Sequence, residues 1–178
     1  MSIITKNILC PKTLPLLRNI IESFETKGGK GLPLGNLTSQ LLSNVYLDKL
    51  DQFVKRELRV KYYVRYADDI LILNTDRDYL EKTFLQMSEF VQEKLQIKFH
   101  DHKTFFQKWH NGIDVLGYIS FPYFRIMRTK TVRRMFGRLE GAEETLPGEK
   151  LRAIVASYLG RLKHCRGREF AKRIGDII

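Results

Sequence analysis

The sequence predicts an α+β fold, and three observations predict it. Apolar residues recur at helical spacing over long stretches, as in Leu80, Phe84, Met87, Phe90, Val91 and Leu95. Short β-rich runs lie between those stretches, most plainly Tyr62–Tyr66 and residues 70–73. These neighbouring runs read as hairpin partners, so the strands are antiparallel and interspersed with helices. The chain has 178 residues and 43% hydrophobic content, enough for one sizeable core or a core with a small appended lobe, and too apolar for a disordered chain.

Each element follows in order. Leu14, Leu17, Ile20, Ile21 and Phe24 predict a helix over 13–25, and Lys27-Gly28-Gly29-Lys30-Gly31 breaks it. Asn36, Thr38 and Ser39 are N-cap candidates for a long helix that ends near Leu58 and carries Leu41, Leu42, Val45, Leu50, Phe53 and Val54. The two β-rich runs then flank Ala67-Asp68-Asp69 and predict a hairpin with the acidic pair at its tip. A second amphipathic helix covers 78–95, and short strands are expected around 97–99, 104–107, 113–120 and 123–127. Two helices close the chain, over 131–144 and 148–164. No internal repeat and no low-complexity linker interrupts this order.

Charge narrows the partner class. The formal net charge is +11, and residues 120–178 hold 14 Lys and Arg against 6 Asp and Glu, a net of +8. A solvated helix surface explains a single basic cluster, but the excess over the whole chain favours a polyanion, with nucleic acid ahead of a membrane surface. Cys10 and Cys165 form no CxxC pattern, so neither a zinc site nor a disulfide framework is suggested, and a reducing, cytoplasmic compartment is expected. The first ten residues lack the pattern of a secretory signal, and no run is long enough to span a bilayer.

Two segments carry chemistry. The first is Tyr63-Val64-Arg65-Tyr66-Ala67-Asp68-Asp69-Ile70-Leu71-Ile72-Leu73. Adjacent carboxylates between apolar strands repel each other, and a divalent metal at the tip relieves that repulsion. Two-metal phosphoryl transfer needs such carboxylates on a rigid element, whereas a bare Asp-Asp is more often an ordinary turn. The second segment, residues 31–40, is a Gly/Pro turn that feeds a helix N-terminus. There, free N–H groups and the helix dipole suit a phosphate or a closely approaching base, while simple capping explains it equally well. It is not a Walker loop, because Gly29-Lys30 is followed by Gly31. His100 and His102 are expected to share a strand face as a surface pair. Trp109, Phe105 and Phe106 could stack bases, with core packing the preferred reading.

The order of motifs resembles the reverse transcriptases of bacterial retroelements: group II introns, retrons and diversity-generating retroelements. The matching pieces are residues 31–40, the Tyr66-Ala67-Asp68-Asp69 box, Lys103, and Gly112-Ile113-Asp114-Val115-Leu116-Gly117-Tyr118, and the likeness runs from about Leu14 to Leu162. It implies a right-hand polymerase, with part of the palm over 1–127 and the start of a helical thumb over 128–178. It further implies RNA-directed DNA synthesis with two Mg2+ ions, an RNA template, a DNA primer and deoxynucleoside triphosphates.

Residue by residue, Asp68 resembles the ligand to both metals and Asp69 its neighbour, with Tyr66 and Ala67 beside the primer end. Pro33, Leu34, Gly35, Asn36, Ser39 and Gln40 belong to the segment that lies against nucleotide and template base. Lys103 resembles the lysine that protonates the pyrophosphate leaving group, and a solvated lysine at a strand start explains it as well. Leu116, Gly117 and Tyr118 resemble the primer grip, and hydrophobic core around a Gly bend is the other reading. Arg133, Arg134, Arg161 and Lys163 fit a thumb that holds the heteroduplex by its phosphates.

One departure bears on the branch. Most bacterial relatives carry Gln before the second Gly and Ser-Pro after it, whereas this chain reads Leu34-Gly35-Asn36-Leu37-Thr38-Ser39-Gln40. That resembles the enzymes of diversity-generating retroelements, which misincorporate opposite template adenines. A second departure concerns completeness. The family places another metal-binding Asp on a strand before the Gly/Pro segment, yet the first Asp here is Asp48. A fragment, a split subunit or a decayed copy is therefore expected, completed by an N-terminal segment or an accessory protein. Two functions stay open: a polymerase core active once completed, and a non-catalytic nucleic-acid-binding module of the same shape.

Overall fold

The computed structural model describes residues 3, 5, 8, 10–22, 37–142 and 146–175. It packs as two compact units, Met1–Lys103 and Thr104–Ile178. The 127/128 boundary expected between palm and thumb falls inside the second unit.

In the first unit, helix α1 is Thr13–Glu22, the predicted helix as far as it is described. Helix α2, Leu37–Gln52, runs straight into a π-helical turn, Phe53–Glu57. Thr38 and Ser39 lie inside α2 rather than capping it, and Asn36 is outside the described residues. Strands β1, Tyr62–Tyr66, and β2, Asp69–Leu73, pair antiparallel in the register Tyr66↔Asp69, Val64↔Leu71 and Tyr62↔Leu73. The predicted hairpin therefore forms, with Ala67 and Asp68 as its two-residue turn. Helix α3, Arg77–Lys94, starts on Asp76, whose carboxylate accepts from the Asp78 and Tyr79 N–H groups at 2.9 and 3.2 Å.

Strand alternation decides which side of the hairpin is covered. Tyr63 and Arg65 point to the helix side, while Tyr62, Val64 and Tyr66 stay exposed. The core beneath joins Leu50 and Val54 to Val60, Met87, Val91 and Leu95, with Ile70 and Ile72 packed against it. Phe53 stacks on Phe90 at 4.2 Å between centroids. Full burial of side chains of this size stabilises by roughly 1.5–3 kcal/mol each.

No strand forms at 97–99 or 104–107, contrary to the sequence expectation. Gln96 leaves α3 with φ 51°, and the Ile97 N–H turns back to the Val91 carbonyl at 3.1 Å. That return commits the backbone to closing the helix end instead of pairing in a sheet.

The second unit holds a three-stranded meander: β3, Ile113–Val115; β4, Tyr118–Ser120; β5, Arg125–Met127. Helices α4, Thr129–Leu139, and α5, Gly148–Leu162, match the predicted closing pair. A further helix, α6, Arg168–Gly175, was not expected. Its eight residues are too short for a periodic pattern, yet fully buried Ile174 joins Met135 and Leu139 in the core. Among the described residues no helix is long and apolar enough to cross a membrane.

Candidate active site

The acidic pair sits where the sequence puts it. Tyr66, Ala67, Asp68 and Asp69 are all exposed at the hairpin tip. Ala67 has φ 52°, which a side chain with a Cβ adopts at a cost of about 1–2 kcal/mol. A two-residue hairpin turn demands such a conformation, so the strain follows from the short loop. Among the described residues, no hydrogen bond or ion pair engages the Asp68 or Asp69 carboxylate.

Behind the tip lies a polar network that the sequence reading missed. The Arg65 guanidinium grips Asp51 of α2 with two bonds, Nε to Oδ1 at 2.8 Å and Nη2 to Oδ2 at 2.6 Å. Its Nη1 donates to the Ala67 carbonyl at 2.9 Å and to Asn44 Oδ1 at 3.0 Å. The Tyr63 hydroxyl donates to Asp51 Oδ1 at 2.6 Å. The Arg65 side chain is only 10% exposed and that of Asp51 26%, so water does little of the solvation here. Burial by itself raises the Asp51 carboxyl, but the bonds from Arg65 and Tyr63 and the guanidinium charge outweigh it and hold it below the usual range. Tyr63 is driven up, first by burial and then by its bond to Asp51, so it stays a hydroxyl donor. The signal available in sequence was Arg65 itself: a cation at an inward position of a strand needs an acid nearby.

The other expected residues are placed as follows. Pro33, Leu34, Gly35 and Asn36 lie outside the described residues. Ser39 is buried in the first turns of α2 and Gln40 is exposed. Lys103 is exposed and ends a 3-10 turn, Asp101–Lys103, rather than starting a strand. No hydrogen bond or ion pair among the described residues joins it to Asp68 or Asp69. His100 and His102 are exposed with rings 5.9 Å apart, beside and within that turn rather than on a strand face. Among the described residues no group of three or more His, Cys, Asp or Glu could hold a metal.

In the second unit, Leu116 and Gly117 form the β3–β4 turn, with φ 54° and 85°. Positive φ at both positions matches a type I′ turn, which glycine takes freely and leucine does not. The Gly117 carbonyl accepts from the Arg128 N–H at 3.0 Å. The Tyr118 hydroxyl donates to the Arg161 carbonyl at 3.0 Å, so two residues expected separately are joined. Arg133 and Arg134 on α4, Arg161 on α5 and Lys163 just beyond it are all exposed. Phe105 and Trp109 are 58% and 40% exposed, which corrects the expectation that they pack in the core. Their segment forms no strand, so its side chains are not turned into a sheet's covered face.

Chemically, the hairpin tip offers hard oxygen donors that no other described residue engages, on a strand end that is tied to a helix. That donor set fits part of the coordination shell of a magnesium ion, which prefers carboxylate and water oxygen. The chain has no significant match among curated proteins. The family model for reverse transcriptase (RNA-dependent DNA polymerase) matches residues 2–120, which include the acidic hairpin, α2 and the β3–β4 turn. With two thirds of its length matched and the acidic hairpin formed inside the match, this chain belongs to the reverse transcriptase family.

Proposed function

We propose that the chain is the catalytic core of an RNA-directed DNA polymerase, with palm over 1–127 and thumb from 128 onward. The observation that carries this is the exposed Asp68-Asp69 pair, unengaged among the described residues, on a braced hairpin tip within the region matched by the reverse transcriptase family. Asp68 and Asp69 would hold magnesium, which when bound neutralises the triphosphate and favours attack by the primer hydroxyl. Two-metal chemistry asks for a carboxylate from a further strand. Asp51 does not fill that role, since both its oxygens are taken by Arg65 and Tyr63.

The partners in this reading are an RNA template, a DNA primer and deoxynucleoside triphosphates. Lys103 Nζ would give its proton to the departing pyrophosphate. Leu116, Gly117 and Tyr118 would hold the primer strand. Arg133, Arg134, Arg161 and Lys163, exposed on the basic helices, would meet backbone phosphates. The Leu34-Gly35-Asn36 variant supports an affiliation with diversity-generating retroelements.

The test is primer extension on an RNA template with magnesium, by the 178-residue chain alone and mixed with the N-terminal segment of a related enzyme. Extension in the mixture that is lost on Asp68→Asn supports the proposal. Extension that survives Asp68→Asn, or nucleic-acid binding with no extension in either arm, refutes it.

A further inference from the structure

We propose that Arg65 and Asp51 are positioning residues for the metal-binding turn, a reading that rests on Asp68 as a metal ligand. Arg65 lies on the inward face of β1, two residues before Ala67. One guanidinium nitrogen holds the Ala67 carbonyl, which belongs to the peptide unit leading into Asp68. The other two are locked onto Asp51. Asp51 and Asn44 are two turns apart on α2, so both acceptors present from one side of that helix. The network therefore runs from the helix, through the guanidinium, to the strained turn at Ala67.

Geometry says why arginine and aspartate are needed. A guanidinium presents donors in a fixed planar fork, so it can hold a carboxylate with two bonds while a third N–H faces another acceptor. Lysine carries a point charge and cannot fix a plane. The short loop sets the positive φ of Ala67, and the bond to its carbonyl fixes the peptide unit that leads into Asp68; without that bond the peptide can rotate and leave Asp68 spread over several directions. A carboxylate scattered in this way binds a hard cation more weakly, because fewer of its conformers suit the required geometry. The same network makes α2, whose first turns include Ser39 and Gln40, the rigid support for the carboxylates.

The experiment titrates Mn2+, as a paramagnetic stand-in for a hard divalent cation, into the isotopically labelled 178-residue chain. It reads the broadening of the Asp68 and Asp69 amide signals, and amide exchange at Met87 and Val91 reports whether the core is intact. Arg65→Lys and Asp51→Asn should each raise the Mn2+ concentration for half-broadening about tenfold, at the lower end of what supporting residues of metal sites contribute. The double variant Asn44→Asp with Asp51→Asn returns a carboxylate to Arg65 and should recover most of that loss. Single variants that keep an affinity within about twofold of the parent, or a double variant that recovers nothing, would overturn the brace. Should a single variant lose protection at Met87 and Val91, Asn44→Ala decides instead. It removes one exposed acceptor, and unchanged affinity there also counts against the proposal. Asp68→Asn separates the premise from the inference: broadening that persists in it removes Asp68 as a ligand, and the brace proposal with it.

Discussion

Substituting Gly112 by alanine tests how the β3–β4 hairpin is set in place. Gly112 leads directly into β3 with φ 80° and ψ 133°, a region that residues with a Cβ rarely enter. A Cβ built there stands 2.6 Å from Ile119 Cγ2 and 2.8 Å from Phe121 Cε1 and Cζ. The backbone strain costs about 1–3 kcal/mol, and forcing Ile119 and Phe121 aside adds about 1–3 kcal/mol. Taking about 3 kcal/mol together and a urea dependence of about 1.5 kcal/mol per molar, the unfolding midpoint should fall by about 2 M. The assay is urea titration followed by Trp109 fluorescence. Trp109 is the chain's single tryptophan, and its carbonyl accepts from the Gly112 N–H at 2.9 Å, so it reports from the perturbed corner. Gly137→Ala is the control. It lies inside α4 with nothing within 4 Å of the new Cβ, and helix propensity predicts a gain of about 1 kcal/mol. A Gly112→Ala midpoint within about 0.3 M of the parent would refute the steric reasoning.

Three further outcomes are expected. Leu116→Asn should stabilise the second unit by about 1 kcal/mol in the same titration, because asparagine tolerates the positive φ of a type I′ turn; an unchanged midpoint would show that Leu116 carries no strain. Asp51 has its folded-state pKa below its unfolded value, so its contribution is fully present above about pH 3.9 and lost as pH falls through the folded value. Amide exchange in the β1–β2 hairpin should therefore separate the parent from Asp51→Asn at neutral pH and converge as the solution is acidified below about pH 4; a constant gap would contradict this. Replacing Arg161 and Lys163 by alanine should flatten the salt dependence of heteroduplex binding by about one unit per lost contact, measured by fluorescence anisotropy, and an unaltered slope would remove both from the phosphate-contacting set.

The sequence by itself determined the acidic hairpin, because two β-rich runs flank Ala67-Asp68-Asp69 with only a two-residue turn between them, which leaves antiparallel pairing as the short connection. It also determined α2, α3 and α5 to within a few residues, each being long enough to show its apolar stripe, while α4 ends at Leu139 rather than near residue 144. Segments with weak local patterns went the other way. The runs at 97–99 and 104–107 carry strand-like composition but find no partner strand among the described residues, and α6 is too short for its periodicity to register. Only the tertiary structure decided what Arg65 does. Asp51 lies 14 residues earlier in the chain, and nothing local to either residue names the other. Folding brings the last turn of α2 under the inward face of β1, where a poorly solvated guanidinium is stable only against a carboxylate. The pairing of Tyr118 with the Arg161 carbonyl, 43 residues apart, follows the same rule. Local pattern fixes which residues reach the tip of an element, and packing fixes which distant groups hold that tip still.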